Sequence, residues 1–206
     1  TREIFMPMVK KIINYGFCES KLETTMLLSL QEIGSGVFSH NQLSNLFLSQ
    51  LLQTNSYSFS NCQYLQVFTA MKLLKLSYQS FCTCVNLEIV IAPRASIENE
   101  AFSYCSQLHT VLAKNNEFQC WCQSCPKCSG TFDRCIERGF RFQQTDQFQM
   151  IQDQVKTEQK LTNLIQIEPK LVDLNFLQRN LVGNLRNKMI QRRWLEKIIS
   201  TSKKFV

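Results

Sequence analysis

Between Ile12 and Ala113 the apolar positions of this chain fall into columns. A bulky residue, three variable positions, a small residue and a phenylalanine recur five times. The sets are Ile12-Gly16-Phe17, Ile33-Val37-Phe38, Thr54-Ser58-Phe59, Leu76-Ser80-Phe81 and Ile97-Ala101-Phe102. Five or six residues after each phenylalanine stands a leucine, at Leu22, Leu43, Leu65, Leu87 and Leu108, in steps of 21, 22, 22 and 21. A constant period in the twenties predicts a solenoid, because one such coil cannot bury its own apolar face and stacked coils make a shared core. Each leucine opens a strand-like hexamer in which the fourth and sixth residues are mostly apolar, as in Leu65-Gln-Val-Phe-Thr-Ala70 and Leu87-Glu-Ile-Val-Ile-Ala92.

Side chains alternate across a strand, so the residues two and four after each leucine should face outward on one concave sheet. With coils stacked about 4.8 Å apart, Phe47, Thr69, Ile91 and Leu112 should form one ladder, and Asn45, Val67, Ile89 and Thr110 another beside it. Thr24 and Met26 extend both. Much of this face is apolar, and a contiguous exposed apolar patch needs a cover. Either a protein partner or another part of the same chain should supply it. The candidate partner-binding residues are Met26, Asn45, Phe47, Val67, Thr69, Ile89, Ile91, Thr110 and Leu112, with Phe47 as aromatic anchor. Counting back 21 from Leu22 reaches Thr1, which places Ile4 and Met6 in the apolar strand columns and pairs Pro7 with Pro93. The chain is therefore expected to start inside a repeat, with further residues upstream.

Three residues after the phenylalanine, Asn41, Cys62, Cys84 and Cys105 share a column. The resulting pattern, Ile-x-x-x-small-Phe-x-x-Cys-x-x-Leu, resembles the BspA-like subclass of leucine-rich repeats over about half the chain. It departs at Thr54, where the bulky column turns polar, and at Phe17 and Phe38, where the leucine comes one residue early. The resemblance implies an α/β-type repeat solenoid with a concave parallel β-sheet. It further implies use in binding, often on the cell surfaces of bacteria and protists, and no catalysis.

Three segments follow: residues 1–116 as the solenoid, 117–144 as a Cys-rich terminal segment, and 145–206 as a basic α-helical region. The array fails after Ala113, since Gln123 and Ser124 stand where the next phenylalanine is due. In its place comes Cys120-Trp-Cys-Gln-Ser-Cys-Pro-Lys-Cys128, and then Cys135. Two residues between thiolates let both reach one tetrahedral ion. No cofactor is expected, and free thiols in a degenerate last coil are the first reading; were zinc bound, Cys122, Cys125, Cys128 and Cys135 would supply its ligands, with Cys120 able to replace Cys122. Zinc and disulfides in an oxidising compartment are the open alternatives to free thiols. A redox role for Cys-x-x-Cys would need a βαβ context that is not visible. The column cysteines Cys62, Cys84 and Cys105 read as small buried hydrophobes.

Beyond residue 144 the apolar period lengthens to helical. Phe148, Ile151, Val155, Leu161, Leu164 and Ile165 predict one helix, with Asp146 as N-cap and Pro169 as its end. Leu171 through Ile199 predicts a second, the two forming a hairpin rather than a coiled coil. Net charge is +7, and from Arg179 to Lys204 there are eight basic residues and only one acid, Glu196. Such an end can serve acidic proteins, anionic lipid or nucleic acid, or be only a solvated helix face. Trp194 amid these charges could anchor at a membrane surface. Nucleic acid is the weaker expectation, and a membrane surface the stronger.

No catalytic constellation is visible. His40 and His109 lie outside any nucleophile motif, and Gly34-Ser-Gly36 lacks the rest of a phosphate loop. The functional expectation is thus a non-catalytic protein–protein interaction module. A zinc- or disulfide-stabilised scaffold and a basic adaptor are the alternatives. No apolar run approaches the ~18 residues that a membrane span needs, so the chain should not be integral to a membrane. The compartment stays open between cell surface and cytoplasm: the resemblance favours a surface, while the lack of an Asn-x-Ser/Thr sequon leans weakly inward.

Overall fold

The structure, a computed structural model, describes residues 2–167. The second predicted helix, the basic run from Arg179 to Lys204 and Trp194 lie outside the described residues. The chain divides after Gln159 into two compact units, and the architecture below is that of the first.

Each coil contributes one strand to the concave side: β1 (Glu3–Phe5), β3 (Thr24–Met26), β5 (Asn45–Phe47), β6 (Val67–Thr69), β8 (Ile89–Ile91) and β10 (Thr110–Leu112). Within each expected hexamer only residues three to five form the strand. Pairing is parallel and follows the repeat register, with Val67 opposite Asn45 and Ile89, and Ile89 opposite Thr110. Ile4 pairs with Thr25, which puts the residues before Lys11 in the repeat as expected. On the other side, β2 (Lys11–Ile12), β4 (Glu32–Ile33), β7 (Lys75–Leu76) and β9 (Ser96–Ile97) carry the bulky column. Single bridges through Gln53 join β4 to β7.

The concave sheet is not one ladder. β1 pairs with β3, and β5, β6, β8 and β10 form a separate four-stranded sheet. The break falls at the coil whose inward strand residue is Thr25, where other coils place Leu46, Phe68, Val90 and Val111. The Thr25 hydroxyl is buried without a hydrogen-bond partner among the described residues, so this strand gains least from docking onto the core.

The phenylalanine column forms the spine. Phe17, Phe38, Phe59, Phe81 and Phe102 stack in sequence at centroid separations of 5.9, 5.6, 5.1 and 5.9 Å. Phe68 wedges in from β6, 5.2 Å from Phe59 and 4.8 Å from Phe81. Cys62, Cys84 and Cys105 are fully buried, and each thiol points at a phenylalanine carbonyl of the preceding coil, at 3.0, 3.1 and 3.1 Å. Burial pushes Cys62 up to about 12 and Cys84 and Cys105 well above the usual thiol range. These are packing thiols. Asn41 does the same work with its amide, donating to the Phe17 carbonyl at 2.7 Å and accepting from the Leu22 N–H at 2.8 Å. The departure at Thr54 is compensated by Ser77: the Ser77 hydroxyl donates to the Thr54 carbonyl at 2.7 Å, and its N–H to the Thr54 hydroxyl at 3.0 Å.

The residues two before and two after each phenylalanine have positive φ in every coil, in the columns Tyr15, Gly36, Tyr57, Gln79, Glu100 and Glu19, His40, Asn61, Thr83, Tyr104. This alternation turns every second N–H toward the next coil, while those between, such as Ser60 N–H to Tyr57 O at 3.0 Å, close turns within their own coil. Phe38 N–H donates to Ser58 O at 2.8 Å, Asn61 N–H to Cys82 O at 2.8 Å, and Thr83 N–H to Ser103 O at 2.8 Å. The loops of the convex side are thereby bonded as regularly as the sheet.

Two helices follow the array. α2 (Asp146–Ile167) matches the expected helix. Its N-terminus is capped by Thr145, whose hydroxyl accepts from Phe148 N–H at 3.3 Å, and Asp146 stands in the first turn instead. α1 (Phe132–Gln143) lies inside the segment read as Cys-rich, for which no helix was expected. It caps the solenoid. Phe132 closes the aromatic stack, 6.1 Å from Phe102 and 4.9 Å from Phe118. Gly139 rests on the free edge of β10, where an added Cβ would come within 2.0 Å of Val111 O. Only a residue without a side chain allows this approach, and the approach is what covers the unpaired edge.

Candidate functional site

Two features of the unit carry chemistry or contact surface: the concave sheet face and the cysteine cluster. On the sheet, the expected inward residues are buried, with Leu46 at 3% exposure and Phe68, Val90 and Val111 at 0%. The outward rows split. Val67, Thr69, Ile89, Ile91, Thr110 and Leu112 also face away from the core by register, yet all are buried, Ile91 to 1% exposure. They are not an open surface in this structure. α2 touches the turns that follow β5 and β6: Glu158 bonds the Ser49 side chain, and Lys72 donates to Gln159 Oε1 at 3.2 Å. From Phe148 to Glu158 a helix rises about 15 Å, the span of about three strand spacings. Burial pushes the Glu158 carboxyl above its ordinary value of 4.5, against the lowering effect of its bonds to Ser49 and Gln154.

The rest of the outward face stays accessible. Asn45 is exposed, and Met26 and Phe47 are half-buried. Phe5, the β1 member of this row, pairs with Met26 and is 40% exposed. Phe5 is the contact candidate that the sequence reading did not include, although the 21-residue count back from Met26 points to it.

The structure brings together Cys120, Cys122, Cys125 and Cys128, whose sulfurs all lie within 4.8 Å of one another. Cys135 is not among them. It faces the core from α1, with its thiol 3.6 Å from the Leu108 carbonyl, and burial pushes it up to about 11. The helical geometry of α1 decides this, because Phe132 and Cys135 share the face that closes the stack. The cluster takes the place of a further coil. Each earlier coil donates an N–H two residues after its phenylalanine to a carbonyl of the next coil. Tyr104 N–H donates instead to Cys122 Sγ, at 3.2 Å. Ser103 Oγ lies 3.3 Å from Cys120 Sγ, and Cys128 Sγ lies 3.2 Å from Cys120 O. Burial alone would raise the Cys122 thiol, but backbone N–H groups of Tyr104, Ser124 and Cys125 hold it down at about 6. Burial pushes Cys120 and Cys125 upward.

The histidines hold coils together. His40 Nδ1 is 2.7 Å from Asn61 Nδ2, and His109 Nε2 is 3.6 Å from Glu88 Oε2. No helix among the described residues is long and apolar enough to cross a membrane.

A family model described as BspA type leucine rich repeat region matches residues 2–117 in 6 copies. The chain belongs to the BspA type leucine-rich-repeat family. The match begins at residue 2, within the repeat whose β1 pairs with β3. Members of the family are repeat proteins, and the solenoid here, with its short parallel strands and stacked phenylalanines, is a BspA type array closed by α1. Among solved structures, the chain is similar to a leucine-rich repeat protein from Bacteroides ovatus ATCC 8483. Identity is 15%, the TM-score is 0.35, and the match covers 58% of this chain and 45% of that one. The matched part thus spans less than half of that protein's length. No curated protein matches the sequence.

Proposed function

We propose that this BspA type array is a non-catalytic binding module that takes a protein partner on the N-terminal part of its concave face. The observation that supports it is the split of the outward rows. Toward β10 the rows are buried, whereas Phe5, Met26 and Phe47 form an accessible row of two aromatics and a thioether. Large, weakly polar side chains of this kind dominate binding energy when a partner desolvates them. The partner fitting this row is a peptide or protein segment with apolar side chains at strand spacing. The concave-face candidates toward the other end, from Val67 to Leu112, serve in this reading as an internal interface.

The test is selection of a displayed peptide library on the full chain, followed by Met26→Asp with Phe47→Asp. Both residues are already partly in water, so the fold should survive with an unchanged melting temperature. Affinity for the selected peptides should fall at least tenfold. Retained affinity in the folded double variant would reject this face. Ligands captured by the basic run from Arg179 to Lys204 instead would weaken steeply with added salt, which an apolar row does not require.

A further inference from the structure

We propose that Cys120, Cys122, Cys125 and Cys128 bind one zinc ion, and that this ion fastens the C-terminal cap to the last coil. The first argument is metric. Four sulfurs at about 2.3 Å from a tetrahedral zinc ion stand about 3.8 Å from one another. Here Cys122 and Cys128 are 3.8 Å apart, Cys125 and Cys128 3.7 Å, and Cys120 and Cys125 3.6 Å. Three of the six sulfur–sulfur separations thus match the edge of such a tetrahedron, and all six lie within 4.8 Å. Disulfide bonding would need pairs at about 2.05 Å, and two separate pairs give no reason for four sulfurs to converge on one point.

The second argument is the surroundings of the sulfurs. A structural tetrathiolate site is held by donors that orient its ligands. Tyr104 N–H, which in the repeat register should meet a carbonyl, is aimed at Cys122 Sγ at 3.2 Å, and Ser124 Oγ lies 3.8 Å from the same sulfur. Ser103 Oγ lies 3.3 Å from Cys120 Sγ. The third is the local fold. Ser129 N–H donates to Cys125 O at 3.1 Å and Thr131 N–H to Pro126 O at 2.9 Å, which closes a tight turn over Cys125–Cys128. That turn leads directly into α1. An ion here would join the Phe102 turn of the last coil, the segment 120–125 and the entry to α1. On binding, the thiols that carry protons release them to solvent, and the ion takes four thiolates.

Hydrophobic burial alone holds this corner poorly. Trp121 is 65% exposed, and Ser124, Ser129, Gly130 and Thr131 put little apolar surface into it. Small elements that lack a core of their own gain stability from a bound metal.

The full chain, expressed with zinc in the medium and purified under reducing conditions without chelator, should carry one zinc per chain by native mass spectrometry and elemental analysis. Cys125→Ser and Cys128→Ser should lose it. Cys135→Ser, which changes a buried thiol outside the set, should keep it. Cobalt(II) exchanged into the wild-type chain should show the visible absorption of a tetrahedral tetrathiolate centre, a readout that does not depend on any variant folding. Chelation should lower the melting temperature and open α1 to protease. The proposal is overturned by a folded, fully reduced wild-type chain without zinc. Disulfides within 120–128, full zinc content in folded Cys128→Ser, or loss of zinc in folded Cys135→Ser would also overturn it.

Discussion

The phenylalanine column shows what a single residue does in a stacked array. Phe81 touches Phe59, Phe68 and Phe102, and it is fully buried. Truncating it removes contacts to both neighbouring coils at once and leaves a void that its neighbours, each held at one coil spacing, cannot close. Phe81→Ala should cost about 3–5 kcal/mol in urea unfolding. A loss under about 1 kcal/mol would mean that the column does not carry the core. Gly139 works by the opposite means, since its value is the side chain it lacks. The two columns of positive φ are a third residue-scale device, and they fall mostly on non-glycine residues such as Tyr57 and Thr83. Regular hydrogen bonds from coil to coil offset the cost of that conformation.

At the scale of elements, the contact of α2 with the turn after β5 is the one most open to adjustment by pH. Glu158 keeps its proton to a higher pH when folded than when unfolded, because burial disfavours its charge. Between its ordinary value of 4.5 and the raised one, the folded state binds more protons than the unfolded state. Stability is therefore lost as pH rises through that window, and the loss persists at neutral pH. Glu158→Gln keeps the size and hydrogen-bonding capacity without the charge. It should raise the melting temperature at about pH 7 and leave it nearly unchanged at about pH 4. An equal shift at both pH values would assign the effect to packing instead. α1 meets the last coil through Phe132, Cys135 and Gly139, and the charge at that contact is Arg138, which donates to the His109 carbonyl at 3.3 Å.

At the scale of the whole repeat array, a one-dimensional stack, stability should vary coil by coil. The four-stranded sheet from β5 to β10 has core on one side, burial of its β6–β10 rows on the other, and α1 on its final edge. The β1–β3 pair puts only the half-buried Ile4 and Thr25 on the core side, has its outward row accessible, and lacks α1 at its edge. Native-state hydrogen exchange should find slow amides in β6 and β8, and fast ones in β1 and β3. Uniform protection would show instead that the array unfolds as one unit across the break. The same gradient places the accessible row of Phe5, Met26 and Phe47 at the softer end, where a bound segment would have most to stabilise.

The period in the sequence determined the solenoid, the inward columns, the parallel register and the packing role of Cys62, Cys84 and Cys105. A residue type repeated every 21 or 22 positions can satisfy its burial only by stacking on its own copies. Helix α2 was legible for the same kind of reason, through its 3.6-residue apolar repeat. Tertiary structure alone decided the rest. It chose Cys120 over Cys135 for the cluster, because α1 turns Cys135 toward the aromatic stack, and no spacing rule contains that rotation. It buried the rows from Val67 to Leu112, because the pleat says which way a side chain points but not what arrives to meet it. It also split the concave sheet at Thr25, where one polar residue in an inward column weakened a strand that the period had counted as equal to the others.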